Sequence, residues 1–244
     1  MFGSLLKSLA GQPQAPLTKI TTPTVELLPR LNASPEAQAL YPPGQSPSEY
    51  LQVLEKNQKP MESVNLLAHG MPEKDSVKWA AESSKLVGDK LNPADQKALA
   101  AADKWLADPT PANQAAAGEA AAATNGTGPG GWTAQAAAWA QPAAQGAQAG
   151  STAAGGGSGA AAGMAAAAAA GAVMLAAGLV DKPAMPDTPR PTVEIPKAKL
   201  PKLEIPKAPA APEVPKMKPA EVAAFSKKLK PFMDLGKKIA SGQA

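Results

Sequence analysis

Residues 66–81 read LLAHGMPEKDSVKWAA, and the fold class follows from how this stretch divides. Leu66, Leu67 and Ala68 close one apolar run, and Gly70-Met71-Pro72 interrupts it. Behind the proline, Val77, Ala80, Ala81, Ser84 and Val87 recur at 3.6-residue spacing and so share one helix face. His69, the only histidine of the chain, stands at the break. A lone imidazole beside a helix end is expected to act structurally, as a hydrogen-bonding or capping group. The stretch therefore reads as helix, break, helix.

The same grammar extends outward in both directions. A short polar residue precedes proline at Ser34-Pro35, Ser46-Pro47, Asn92-Pro93 and Thr110-Pro111. Each pair predicts an N-cap with proline at the first helical position, where a missing N–H costs nothing. Ser46 with Glu49, and Asn92 with Asp95, have capping-box spacing. The helices so opened carry apolar faces: Tyr50, Leu51, Val53 and Leu54; then Val64, Leu67 and Ala68 after Pro60; then Ala98, Leu99, Ala102, Trp105 and Leu106. Behind Thr110 the inward face is read as Ala112, Ala115, Ala116, Ala122 and Ala123. After the glycine-rich break at residues 125–131 it is read as Trp132, Ala136, Trp139 and Ala140. No alternating strand pattern competes, so the chain is expected to be all-α. Trp79, Trp105, Trp132 and Trp139 supply the bulk that alanine lacks, and with His69 they form the expected structural core.

These elements delimit an expected helical domain over residues 34–141. Residues 1–33, broken by Pro13, Pro16, Pro23 and Pro29, are expected to be disordered or extended, with at most a short segment docking on the core. An Ala/Gly/Ser linker follows at 142–163 and an apolar Ala-rich helix at 164–181. In the Pro/Lys-rich spacer at 182–219, Pro191, Pro196, Pro201 and Pro206 repeat every five residues and predict polyproline II. The chain closes with a basic amphipathic helix pair at 220–241, bent at Pro231. Its stripe of Val222, Phe225, Leu229, Phe232 and Ile239 is expected to dock, on the protein's own domain or on a partner.

Composition removes several function classes. The chain has no cysteine, which excludes disulfides, thiolate catalysis and Cys-based zinc sites. Glu73, Asp75, Asp103 and Asp108 lack partners at metal-ligand spacing, and one histidine cannot build a cluster. Gly128-Pro129-Gly130-Gly131 and Gly155-Gly156-Gly157 lack the strand and the Lys-Ser/Thr of a phosphate loop. The formal net charge of +4 gathers behind Asp181, without the interleaved aromatics of a nucleic-acid surface. The expectation is a protein that is not an enzyme, uses no cofactor or metal, and binds a protein partner and no nucleic acid. The cytoplasm is the expected compartment, with the inner membrane as the alternative if residues 160–180 span a bilayer.

Five stretches carry a resemblance: YPPGQSPSEYLQVLEK at 41–56, LLAHGMPEKDSVKWAAESS at 66–84, ADKWLADPTPANQAAAGEAA at 102–121, Gly130-Gly131-Trp132, and AGAVMLAAGLV at 170–180. Together, with AHxxP and W-x-x-DP-T-x-x-N spacings, they resemble a functionally uncharacterised family of bacterial proteins often encoded beside type VI secretion genes. The similarity runs from about residue 37 to 180, and PFMDLGKKIASGQ at 231–243 is similar to that family's C-terminus. The Gly/Ala linker and the Pro-Lys spacer depart from it in length and bias. The resemblance places the Ala-rich helix inside the shared body. It implies an adaptor or chaperone for a secreted or spike component; the alternative is an envelope accessory protein anchored by residues 160–180.

Overall fold

The computed structural model describes residues 16–140, 159–182 and 218–243. Residues 183–217 of the spacer expected at 182–219, most of the expected linker and the first fifteen residues lie outside the described residues. Helices α1 (Thr24–Leu27), α2 (Pro35–Ala39), α3 (Pro47–Lys56), α4 (Pro60–Gly70) and α5 (Glu73–Lys85) are followed by α6 (Pro93–Ala107), α7 (Pro111–Ala123) and α8 (Pro129–Trp139). Then come α9 (Gly159–Leu179) and α10 (Pro219–Ala240), with 3-10 turns at Leu28–Arg30 and Gly88–Lys90. The fold is all-α, with no strand among the described residues.

Proline and its preceding cap write most of the helix starts. Seven of the helices begin with proline. Ser34 Oγ accepts from Ala37 N, Ser46 Oγ from Glu49 N, Asn92 Oδ1 from Asp95 N and Thr110 Oγ1 from Asn113 N. At Ser46 the box closes, because Glu49 Oε2 takes the Ser46 N–H at 2.8 Å. At Asn92 it stays half formed, since the Asp95 carboxylate turns inward to another helix.

Two apolar clusters meet on α9. One is built of larger side chains, including Leu27, Leu31, Tyr50, Leu51, Leu54, Leu66, Leu67 and Trp79. The other is mostly alanine around Trp105, with Ala98, Ala102, Ala117, Ala121, Ala134 and Ala137. Helix α9 gives Ala166, Ala170, Val173, Ala176 and Ala177 to the first and Ala165, Ala168, Ala169 and Ala172 to the second. It packs on α4, α5, α8 and α10. It starts five residues earlier than the expected 164. Among the described residues, no helix is long and apolar enough to cross a membrane.

Three readings change at this level. Residues 16–33, expected to be disordered or extended with at most a short docking segment, hold α1 and a 3-10 turn and bury Leu17, Ile20, Leu27 and Leu31. Leu17 N–H donates to Ser48 Oγ, and Thr24 Oγ1 donates to Gln45 O. On α7 the buried residues are Ala117 and Ala121, whereas Ala112, Ala115, Ala116, Ala122 and Ala123 are exposed. In a helix of alanines hydrophobicity cannot choose a face. Polar residues choose it instead: Gln114 Nε2 donates to the terminal carbonyls Ala138 O and Ala140 O of α8, and Asn113 Nδ2 to Asp108 O. Finally, the expected domain boundary at 141 does not enclose the core, because α9 and α10 are part of it.

The caps carry a stability forecast. Replacing Ser46, Asn92 or Thr110 by alanine should each cost about 1 kcal/mol. Thermal melts of the three single variants would show it, and three unchanged melting temperatures would mean that these caps do not fix the helix starts.

Candidate interaction surface around the C-terminal helix

The apolar stripe of α10 is covered by the protein's own body. Leu229, Phe232 and Ile239 are buried, Val222 and Phe225 half-buried. These five residues were expected to dock on the protein's own domain or on a partner, and three of them are buried in the protein's own core. The reason is Trp79. Its indole is 0 % exposed, and its Nε1–H donates to Phe232 O at 2.8 Å. A Cβ at Gly236 would lie 2.6 Å from Trp79 Cε2, so the glycine one turn beyond Phe232 opens the space for the ring. A buried indole needs an acceptor, and here a helix carbonyl supplies it. Helix α10 also runs unbroken through Pro231, where a bend into two helices was expected. That proline lies on the exposed side, where water can take the carbonyl its ring leaves unpaired.

Further contacts tie down the middle and the C-terminal end of the helix. Lys19 N–H donates to Ala240 O at 2.8 Å, and Thr18 Oγ1 to Ser241 O at 3.1 Å, so the N-terminal segment satisfies the last carbonyls of α10. Lys237 pairs with Glu55 on α3 at 2.7 Å, and Lys228 with Asp181 beyond α9 at 2.6 Å. Lys227, Lys230 and Lys238 point outward and make the exterior of α10 basic.

The remaining candidates resolve into structural roles. Trp105 is 2 % exposed, while Trp132 and Trp139 are half-buried; Trp132 Nε1–H donates to Gly126 O. The glycine run before Trp132 serves close packing. Gly131 N–H donates to Asp95 Oδ1 at 2.9 Å, and a Cβ at Gly128 would sit 2.0 Å from Asp95 Oδ2. Asp95 thus lies between the N-termini of α6 and α8, whose dipoles both favour its charge. Burial raises its pKa nevertheless, against the lowering hydrogen bonds from Gly131, Asn92 and Gly130. The amide that a phosphate loop would offer to an anion is already taken by this carboxylate.

Asp75 pairs with Lys19 and Asp103 with Lys85, both at 2.9 Å, and Asp108 accepts from Asn113 Nδ2. Among the described residues, no group of three or more His, Asp or Glu side chains could hold a metal ion. The sequence pattern of α10 does not reveal the role of Gly236 opposite Trp79. Asp95 was read only as a capping partner of Asn92, although a glycine pair before a tryptophan is a signal of close helix approach.

His69 is half-buried in the last turn of α4, and it does not cap the helix, since Met71 N–H closes the turn on Leu67 O. Burial first, and the Arg30 charge second, push its pKa from 6.5 down to about 4. Folding therefore favours the neutral imidazole. The resulting stability is full above about pH 6.5 and is lost as pH falls towards about 4. Denaturant titrations over this range should show a decline of about 2–3 kcal/mol that a His69→Asn variant lacks. Equal slopes in the two proteins would remove the histidine from the account.

Gly236→Ala tests the seat of α10. Alanine is the better helix former by about 1 kcal/mol, yet the collision with Trp79 should outweigh this and lower stability by about 1–3 kcal/mol. A variant more stable than the parent would show that the ring does not rest on the glycine.

No curated protein and no solved structure matches the chain. The family model described as Family of unknown function (DUF6931) matches residues 50–195. The match spans α3 to α9 and leaves α10 beyond its end. The chain belongs to the uncharacterised family DUF6931.

Proposed function

We propose that this protein is a non-enzymatic interaction module, an adaptor or chaperone that holds a secreted or spike component of a bacterial type VI secretion system. The observation that carries the reading is the basic exterior of α10, held rigidly on the body by Trp79, Gly236 and the Lys237–Glu55 pair. A helix so fixed presents its outer side chains in one geometry, as recognition requires. The chemistry of the buried polar groups supports the same reading. Asp95, Thr133 and Trp79 are committed to joining helices, with Thr133 Oγ1 donating to Pro129 O and lying 3.0 Å from Ser84 Oγ. His69, neutral and of low basicity, is a poor general base near neutral pH. The secretion setting is supported by the stretches at 41–56, 66–84, 102–121 and 170–180, through their resemblance to proteins encoded beside such genes.

Capture of the tagged full-length protein from its own host, with the co-purifying proteins identified by mass spectrometry, tests this. Enrichment of a spike, tip or effector protein is the expected result. A capture devoid of secretion components would overturn the assignment.

A further inference from the structure

Between the α3–α4 turn and the flank of α10 lies a groove of about 400 Å3. Its floor is apolar, made by Pro60, Leu229 and Met233. Four lysines line it, Lys59, Lys227, Lys230 and Lys237, against the two carboxylates Glu55 and Asp234. Those carboxylates are already engaged, Glu55 with Lys237 at 2.7 Å and Asp234 with Lys230 at 2.7 Å. Lys59 and Lys227 have no ion-pair partner among the described residues, so the groove holds two uncompensated cations.

Two further features have the same polarity. The first turn of α4 lines the groove through Pro60 and Ser63, and no side chain caps its N-terminus, which adds partial positive charge. Ser226 Oγ lines the groove, buried and without a hydrogen-bond partner, whereas Ser63 Oγ is satisfied by Lys59 O. Rotation of that side chain toward the groove would let its hydroxyl donate to a carboxylate or carbonyl.

We infer that this groove is a docking site for an acidic protein segment that places one or two apolar side chains on Pro60, Leu229 and Met233 and its carboxylates beside Lys59 and Lys227. The inference deepens the adaptor reading and rests on it. Charge complementarity selects an anion, and the apolar floor selects a peptide over a free phosphate, which would leave that floor wet. The size suits one anchor side chain with its flanking backbone.

The test uses the full-length protein and a fluorescein-labelled peptide, Gly-Asp-Glu-Leu-Phe-Glu-Asp-Gly, followed by anisotropy. Saturable binding is expected. It should weaken at least about tenfold in the K59E/K227E double variant, and also when salt rises from about 50 to about 500 mM, because exposed charges are screened. The milder K227Q variant should weaken binding about threefold to tenfold, and it guards against a folding defect in the double variant. Peptides with Asn and Gln in place of the acids, or Ser in place of Leu-Phe, should both lose binding. No binding at low salt, or equal binding to the double variant, overturns the site. So does binding to phosphatidylglycerol vesicles with no binding to the peptide. If the double variant still captures secretion components from its host, the adaptor reading stands and the groove assignment falls.

Discussion

The whole arrangement depends on how closely other helices can approach α9. Side chains there are alanine on two faces at once: Ala165, Ala168, Ala169 and Ala172 meet the Trp105 cluster, while Ala166, Ala170, Ala176 and Ala177 meet the leucine cluster. A helix with a single apolar stripe can serve one core. One that is small and apolar nearly all round can be shared between two, so that α4, α5 and α8 crowd against it. The cost of alanine is lost area, since each contact buries little. The structure offsets this by placing Trp79 and Trp105 where the alanines leave room. A larger residue at a fully buried position such as Ala169 or Ala172 would push α9 away from the Trp105 layer.

Close approach creates a polar problem that Asp95 solves. Helix α8 meets α6 near their N-termini, where unpaired amides from both helices come together. The Asp95 carboxylate accepts from Gly131 N, and its own N–H goes to Asn92 Oδ1. The absence of a side chain at Gly128, Gly130 and Gly131 is what permits this, because a Cβ at each would fall 2.0–2.2 Å from Asp95 or Thr124 atoms. Ser84 and Thr133 make a second polar joint, between α5 and α8. Such joints add orientation to a core whose alanine contacts alone would permit sliding.

Local chemistry was legible in the sequence where a residue type has one dominant use. Ser46-Pro47 and Thr110-Pro111 can hardly be anything but helix starts, and the faces of α3, α4 and α6 are set by leucine, valine and tryptophan. Legibility failed where the deciding contact is remote. The rotation of α7 depends on Gln114 reaching α8, and residues 16–33 owe their order to partners such as Ser48, Gln45 and Ala240. The stripe on α10 was readable as something that must be covered. Its cover was not, because a glycine opposite a tryptophan 157 positions away leaves no local trace.

Helix α10 lies beyond the residues that match the family, yet it closes the core over Trp79. The two sides of the groove therefore come from different parts of the chain: Lys59, Pro60 and Ser63 from the matched body, Lys227, Leu229 and Met233 from α10. The floor exists only while α10 is seated, since Leu229 and Met233 face the body from the same side of the helix as Phe232. Seating and recognition are thus one equilibrium. A ligand that bridges Lys59 and Lys227 binds only the seated form, so it must stabilise the Trp79–Phe232 contact by the free energy of its own binding. Anything that dislodges α10 must weaken that ligand to the same extent.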